Sequence, residues 1–471
     1  MTFQSYAYGL FLVCVIAVYW LLGRRAQNVW LLAASYFFYG YVVPWWAGLL
    51  AATTLVDYSN ARLIERHPER KRLFLCISLI FNFGVLATMK YCNFFIENFL
   101  AAAHAIGWQL DTPLWQVLLP AGLSFYTFQS ASYVVDVYRG QLSARRNLID
   151  YALYLSFFPH MIAGPIQRAS HLLVQMEKRR HFDPILARDG LLLIVWGLLK
   201  KRVLADTAAT YADKTFSISH PSFPIIWGGV LCFGVQIYAD FSAYTDIARG
   251  SARLLGFELT KNFDHPYTAG TPVEFWHRWH ISLSTWFRDY VYIPLGGSRG
   301  GTARACRNIL ATFLLSGLWH GASWNYVLWG AWHGGWLVVW RLCARENTES
   351  SSSRIRTFLS WVLTFTIVHF GWLIFRERNL GALLEKLSES PWSAPRSDWQ
   401  TGLFFAAMAV LLSLPLALHA AYDASRWPAR WPTLVIRWPA VGLQTGLAML
   451  IVFLILLLSS EVGGDFIYFQ F

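Results

Sequence analysis

The chain has 471 residues, of which 56% are hydrophobic, 17% aromatic and only 14% charged, with 24 Trp and a net charge of +12. Soluble domains carry about 25% charge, so this composition, with a mean hydropathy of +0.38, excludes disorder, a collagen-like chain and most soluble folds. It leaves an integral membrane protein whose basic excess fills cytoplasmic loops rather than meeting a nucleic acid.

Apolar runs that span a bilayer, or nearly do, fall near residues 5–22, 28–43, 45–58, 73–90, 113–135, 149–163, 190–204, 225–247, 308–342, 357–375, 402–422 and 440–459. A crossing helix needs about 20 apolar residues, so the shorter runs are expected to be tilted, re-entrant or buried. The expectation is an all-α polytopic bundle of roughly 10 to 12 spanning helices, with re-entrant and buried helices besides. One membrane domain is expected over residues 1–471. The first run, about Tyr6 to Leu22, lacks a basic flank before it and is followed by Arg24 and Arg25, the order of a retained span instead of a cleaved signal. Those arginines, the cluster from Arg62 to Arg72, and Arg139 with Arg145 and Arg146 follow the first, third and fifth runs. Their alternation puts the N-terminus outside and these three loops in the cytoplasm. The 149–163 run lies between basic loops and is expected to enter and leave on one side, broken at His160 and Gly164-Pro165. Lys200-Lys201-Arg202, and Arg376 with Arg378, do not fit the alternation. Arg345 to Arg356 reads as a polar connection. The six cysteines (Cys14, Cys76, Cys92, Cys232, Cys306, Cys343) are scattered without a CxxC pair and form neither a disulfide framework nor a metal site.

Ionisable residues inside a bilayer cost about 2.5–3.5 kcal/mol each, which makes every one a site to explain. Asp57 and Asp136 lie at run ends, as helix caps or ion-pair partners. Asp240 and Asp246 precede Arg249, three residues beyond Asp246 on the same helix face, and read as a structural pair. Glu274 to Arg299 (EFWHRWHISLSTWFRDYVYIPLGGSR) is too polar for a lipid-facing span and too aromatic for a solvated loop; it fits a buried or cavity-lining helix. His277 and His280, three apart, share a face of such a helix, yet HExxH is absent and no Cys is near, so no metal is expected. Ser316 to Gly335 (SGLWHGASWNYVLWGAWHGG) carries Trp-His-Gly twice. On one helix His320 and His333 are offset by nearly four turns, and they bear on different atoms unless the helix breaks. Glycines allow close approach of a helix or ligand, and Trp319, Trp324 and Trp329 suit a tunnel for a long thin substrate. His320 sits deep among apolar residues and is the natural general base. No GxSxG, Walker A or Rossmann motif competes. Two classes remain open from these residues: acyl transfer from a thioester, and a transporter or flippase coupling through buried His and Asp.

GLSFYTFQSASYVVDVYRG (122–140), FFPHMIAGPIQR (157–168), the block from Glu274 and the Trp-His-Gly around His320 occur in an order that resembles the membrane-bound O-acyltransferases. The chain is most similar to the bacterial branch serving alginate O-acetylation, which its closing FIYFQF (466–471) also resembles, and more distantly to teichoic acid D-alanyl transferases. The likeness is strong over about residues 5–375 and looser over the C-terminal helices, about 376–471. It implies a helical bundle with a funnel on each face and a thin wall between. The essential histidine carries over to His320, and a second polar position, His or Asn in the family, to His280. It further implies acetyl-CoA as a cytoplasmic donor substrate with no permanently bound cofactor, a separate extracytoplasmic SGNH-type partner, a polysaccharide acceptor, and residence in the bacterial inner membrane. On that basis Trp319 and Trp324 are expected along the substrate path, and Arg278, Arg288 and Arg299 are candidates for the CoA phosphates. The alternatives carried forward are the transporter and a D-alanyl transferase fed by a carrier protein.

Overall fold

The computed structural model describes residues 1–110, 119–162, 164–343, 353–425, 446, 449 and 450. Residues 345–352 of the expected polar connection Arg345 to Arg356, most of the 440–459 run and the closing 466–471 segment lie outside the described residues, and the end of that connection is the first turn of the helix Arg354–Arg376. Every described element is a helix. Four are long and apolar enough to cross a membrane: Pro68–Ala105, Phe223–Leu254, Arg354–Arg376 and Arg396–Ala424. Only 17% of the most apolar stretch of the first and 28% of the last is buried, against 89% for Phe223–Leu254. The first and last therefore turn apolar surface outward, where lipid replaces protein as the solvent.

Contacts along the chain group into two units, Met1–Leu191 with Ile247–Thr260, and Leu192–Asp246 with Lys261–Phe471. In the first, a core of Tyr39, Trp46, Leu50, Leu86, Tyr126 and Leu155 ties together the helices that carry them. Asp57 lies in the middle of the Trp45–Arg66 helix and is fully buried, which corrects its reading as an end cap or ion-pair partner. Its carboxylate accepts hydrogen bonds from the Ser78 and Ser130 hydroxyls and from the Asn82 amide at 2.8 and 3.0 Å. Several donors can hold a buried carboxylate where no opposite charge does. The 149–163 run is broken at Phe157, between helices Leu148–Ser156 and Phe158–Met161, and the chain is again irregular at Gly164-Pro165, as expected, but not at His160. His160 lies in the second piece, its Nε2 2.9 Å from Gln129 Oε1.

The second unit explains the misfit lysines. Lys200–Ala205 is a π-helical turn. Neighbouring residues of a regular α-helix point about 100° apart; the wider turn lets both lysines face inward. Lys200 Nζ lies 2.7 Å from Asp246 and donates to Ser242 at 2.9 Å. Lys201 Nζ lies 2.8 Å from Asp240 and 3.0 Å from Asp206. These are buried, neutralised charges, so they carry no topological signal. Arg376 is likewise paired, 2.8 Å from Asp213.

The 308–342 run is two helices. Thr302–His320 stops at Gly321, and Trp324–Cys343 runs back along it. The crossing needs glycine: a Cβ on Gly317 would overlap the Tyr326 carbonyl, and one on Gly330 the Phe313 carbonyl. One expected outcome tests the buried ion pairs. Lys201→Met strands two buried carboxylates and lowers stability by about 3–5 kcal/mol, read as melting temperature in detergent. Adding Asp240→Asn and Asp206→Asn to that variant recovers most of the loss.

Candidate active site

His320 is the last residue of its helix and is 5% exposed. Three rings meet it edge-on: Trp329 at 4.9 Å, Trp319 at 5.0 Å and Phe375 at 5.3 Å between centroids. The Tyr326 ring fills the space where a side chain on Gly321 would lie, so only glycine lets the chain turn so closely beneath the imidazole.

The turn at 321–323 changes the relation between the two Trp-His-Gly segments. Because the helix breaks, Trp329 stands between the histidines, 4.9 Å from His320 and 5.0 Å from His333. His333 is 2% exposed and also meets the edge of Trp276 at 5.1 Å. His333 Nε2 and Trp329 Nε1 are buried with no hydrogen-bond partner among the described residues. Buried polar atoms are rarely left so.

His280 does not share a helix with His277, which corrects that expectation. The block from Glu274 is two short helices, Pro272–Arg278 and Ile281–Phe287, followed by a π-turn, Arg288–Tyr292. His280 sits in the break with φ 43° and ψ 55°. Its Nδ1 is 3.2 Å from Asn262 Oδ1. That oxygen already accepts from the Ser282 backbone N–H at 3.1 Å and its hydroxyl at 2.9 Å. An atom bonded by a backbone N–H is an acceptor, so His280 Nδ1 must be the donor and Nε2 carries the lone pair. Trp319 links the two sites, its ring 5.9 Å from His280 and 5.0 Å from His320.

A cavity of about 890 Å³ opens beside this group, with Trp276, His277, Thr312 and Ser316 on its walls and Arg288 and Arg341 among its lining. Ser316 lies one turn before His320 on the same helix, and Trp276 is the ring that backs onto His333.

Three similarities place this arrangement. The model of the MBOAT, membrane-bound O-acyltransferase family matches residues 141–377, which hold all three histidines. A Pseudomonas putida protein with the name "Probable alginate O-acetylase AlgI" is 38% identical over 98% of both chains. A peptidoglycan O-acetyltransferase of Helicobacter pylori is 33% identical over 78% of this chain and 75% of its own. The chain belongs to the membrane-bound O-acyltransferase family. A teichoic acid D-alanyltransferase of Bacillus subtilis is more distant, 28% identical over 54% of this chain and 68% of its own. The protein is thus a multi-pass membrane enzyme, an O-acetyltransferase, and the transporter reading falls away.

Not every expected residue joins the acyltransferase's aromatic group. Trp319 does, buried between two histidines. Trp324 stands 52% exposed on the first turn of its helix. Arg278 is engaged by Glu274 and Thr268, each at 2.6 Å. Arg288 lines the cavity and pairs with Asp289 at 2.8 Å, while Arg299 is exposed on the turn that follows. Sequence reasoning missed Asn262, which no motif marks, and Arg341, a lone basic residue in the last turn of an apolar helix that could have been noticed. Asn262→Ala removes the acceptor that sets the His280 tautomer and is expected to lower turnover about 10-fold, one hydrogen bond's worth. The Asn262→Ala, His280→Ala double variant should lose no more than His280→Ala alone, because the two act as a unit; full additivity in steady-state rates would separate them.

Proposed function

We propose that this enzyme moves an acetyl group from cytoplasmic acetyl-CoA across the inner membrane, for O-acetylation of an extracytoplasmic polysaccharide, alginate-like or another cell-surface glycan. The observation that carries the reading is a buried imidazole at a helix break, one turn from a cavity that has arginines in its lining. The names of the relatives support an acetyl group and a glycan acceptor.

In this reading the pantetheine arm enters the cavity and the charged nucleotide stays at Arg288 and Arg341. Arg288's exposed pair with Asp289 is worth about 0–1 kcal/mol and exchanges readily for phosphate. His320 takes the proton of the incoming hydroxyl as its oxygen attacks the thioester carbonyl carbon. The C-terminal end of the Thr302–His320 helix faces the imidazolium so formed. Collapse of the tetrahedral intermediate breaks the C–S bond, and the imidazolium returns the proton to the CoA thiolate. His280, with its Nε2 lone pair, orients the incoming hydroxyl from the other side of Trp319. Acetyl-CoA is a substrate here, and the reaction calls for no bound cofactor. The first acceptor is the hydroxyl of a separate extracytoplasmic SGNH-type protein, which passes the group to the polysaccharide.

His320→Ala should lower acetyl transfer by about 10²–10⁴-fold in a variant that still inserts and purifies normally; retention of more than a few per cent of the activity would overturn the assignment. Arg288→Glu should raise the KM for acetyl-CoA several-fold and leave kcat nearly unchanged. In sealed inside-out vesicles, acetyl-CoA added outside should label an acceptor trapped in the lumen. Labelling that needs both substrates on one side would mean that no acetyl group crosses.

A further inference from the structure

Three groups separated by up to 158 residues converge away from the catalytic histidines. His265 belongs to the connection before the short helix Pro272–Arg278; His419 and Asp423 lie one turn apart near the end of the Arg396–Ala424 helix. His265 Nε2 is 2.8 Å from Asp423 Oδ2, and His419 Nε2 is 3.8 Å from the same oxygen. One ligand atom from each of the three lies within 4.8 Å of the others. We propose that His265, His419 and Asp423 bind a divalent transition-metal ion, zinc by the chemistry of the ligands, which pins the 261–270 connection to the Arg396–Ala424 helix.

A simple His–Asp hydrogen bond accounts for only half of the arrangement. It explains His265 and one carboxylate oxygen. It does not explain why a second imidazole aims its Nε2 at that same oxygen from 3.8 Å, beyond hydrogen-bond range. Around a tetrahedral zinc with bonds of about 2.0–2.1 Å, neighbouring donor atoms stand about 3.3 Å apart. The observed 2.8 and 3.8 Å fall on either side of that value. Two imidazoles and a carboxylate are a borderline set that suits zinc, and two ligands at i and i+4 share a helix face. The groups are reachable, with side chains 14% exposed for His265 and 42% for each of the other two. His265 also lines a second, largely apolar cavity of about 420 Å³. The His419 ring is held from behind by the edge of Trp196, at 5.1 Å.

Such an ion would act on catalysis at one remove. Asn262, the residue that orients His280, lies three positions before His265 in the same connection. The ion therefore has a positioning role, and its expected loss is a partial fall in turnover, distinct from the near-complete loss at His320. The proposal does not depend on which acyl donor is used.

The test uses the full chain, purified in detergent without a polyhistidine tag from zinc-supplemented cells. Elemental analysis should find about one zinc per chain, reduced to background in His419→Gln and Asp423→Asn. Chelation of the wild-type protein should lower its melting temperature, and added Zn²⁺ should restore it; the variants should not respond. A wild-type protein that carries no zinc and shows no shift with Zn²⁺ overturns the site, as does zinc retained equally in both variants. If the variants do not fold, chelation and restoration on the wild-type chain decide the matter alone.

Discussion

The reversal of the chain at residues 321–323 is the constraint on which the acyltransferase's centre depends. Without it, two histidines thirteen positions apart would face different surroundings; with it, they flank one indole. The reversal is possible because glycines at 317 and 330 let the two helices touch backbone to backbone. The same contact brings Ser316 and Thr312 onto a cavity wall while His320 faces inward against Phe375. Aromatic contacts of this kind contribute about 0.5–1.5 kcal/mol each beyond area burial, so the three rings help hold the imidazole in place.

Buried polar groups in this protein are treated in two ways. Some are satisfied: Asp57 by three hydrogen-bonding side chains, Lys200 and Lys201 by aspartates, and His280 Nδ1 by an amide that is itself held. Around Trp329 they are not, since its indole nitrogen and His333 Nε2 lack partners among the described residues. A membrane interior makes that contrast costly, because no water is at hand to complete the bonds. Trp276, whose ring meets both Trp329 and His333, is also part of the lining of the larger cavity.

Much of this was legible in the sequence, and the exceptions have physical causes. Hydrophobicity and the doubled Trp-His-Gly pointed to a membrane bundle and to His320, because burial and residue type suffice for both. The helix break was foreseen as a condition but not located, since Gly-Ala-Ser reads equally as a tolerated stretch of helix. Positive-inside counting failed at Lys200 and Lys201 because it counts every basic residue as solvated, and a π-turn had buried these two. The shared face of His277 and His280 rested on a continuous helix that ends at Arg278. Asn262 and the cluster at His265 and His419 could not be read, because their partners are distant in the chain and none belongs to a periodic pattern.

The backbone at His280 bears on which residues that position can accept. Its φ of 43° and ψ of 55° put it in the left-handed region, where a side chain costs roughly 1–2 kcal/mol and where asparagine, aspartate and histidine are enriched. Histidine and asparagine would both meet the conformational demand of this position. Both residues tolerate the left-handed turn, and both can donate to a fixed acceptor such as Asn262 while presenting an acceptor of their own. A glutamine, similar in chemistry but poorer in that conformation, would strain the turn whatever its reactivity.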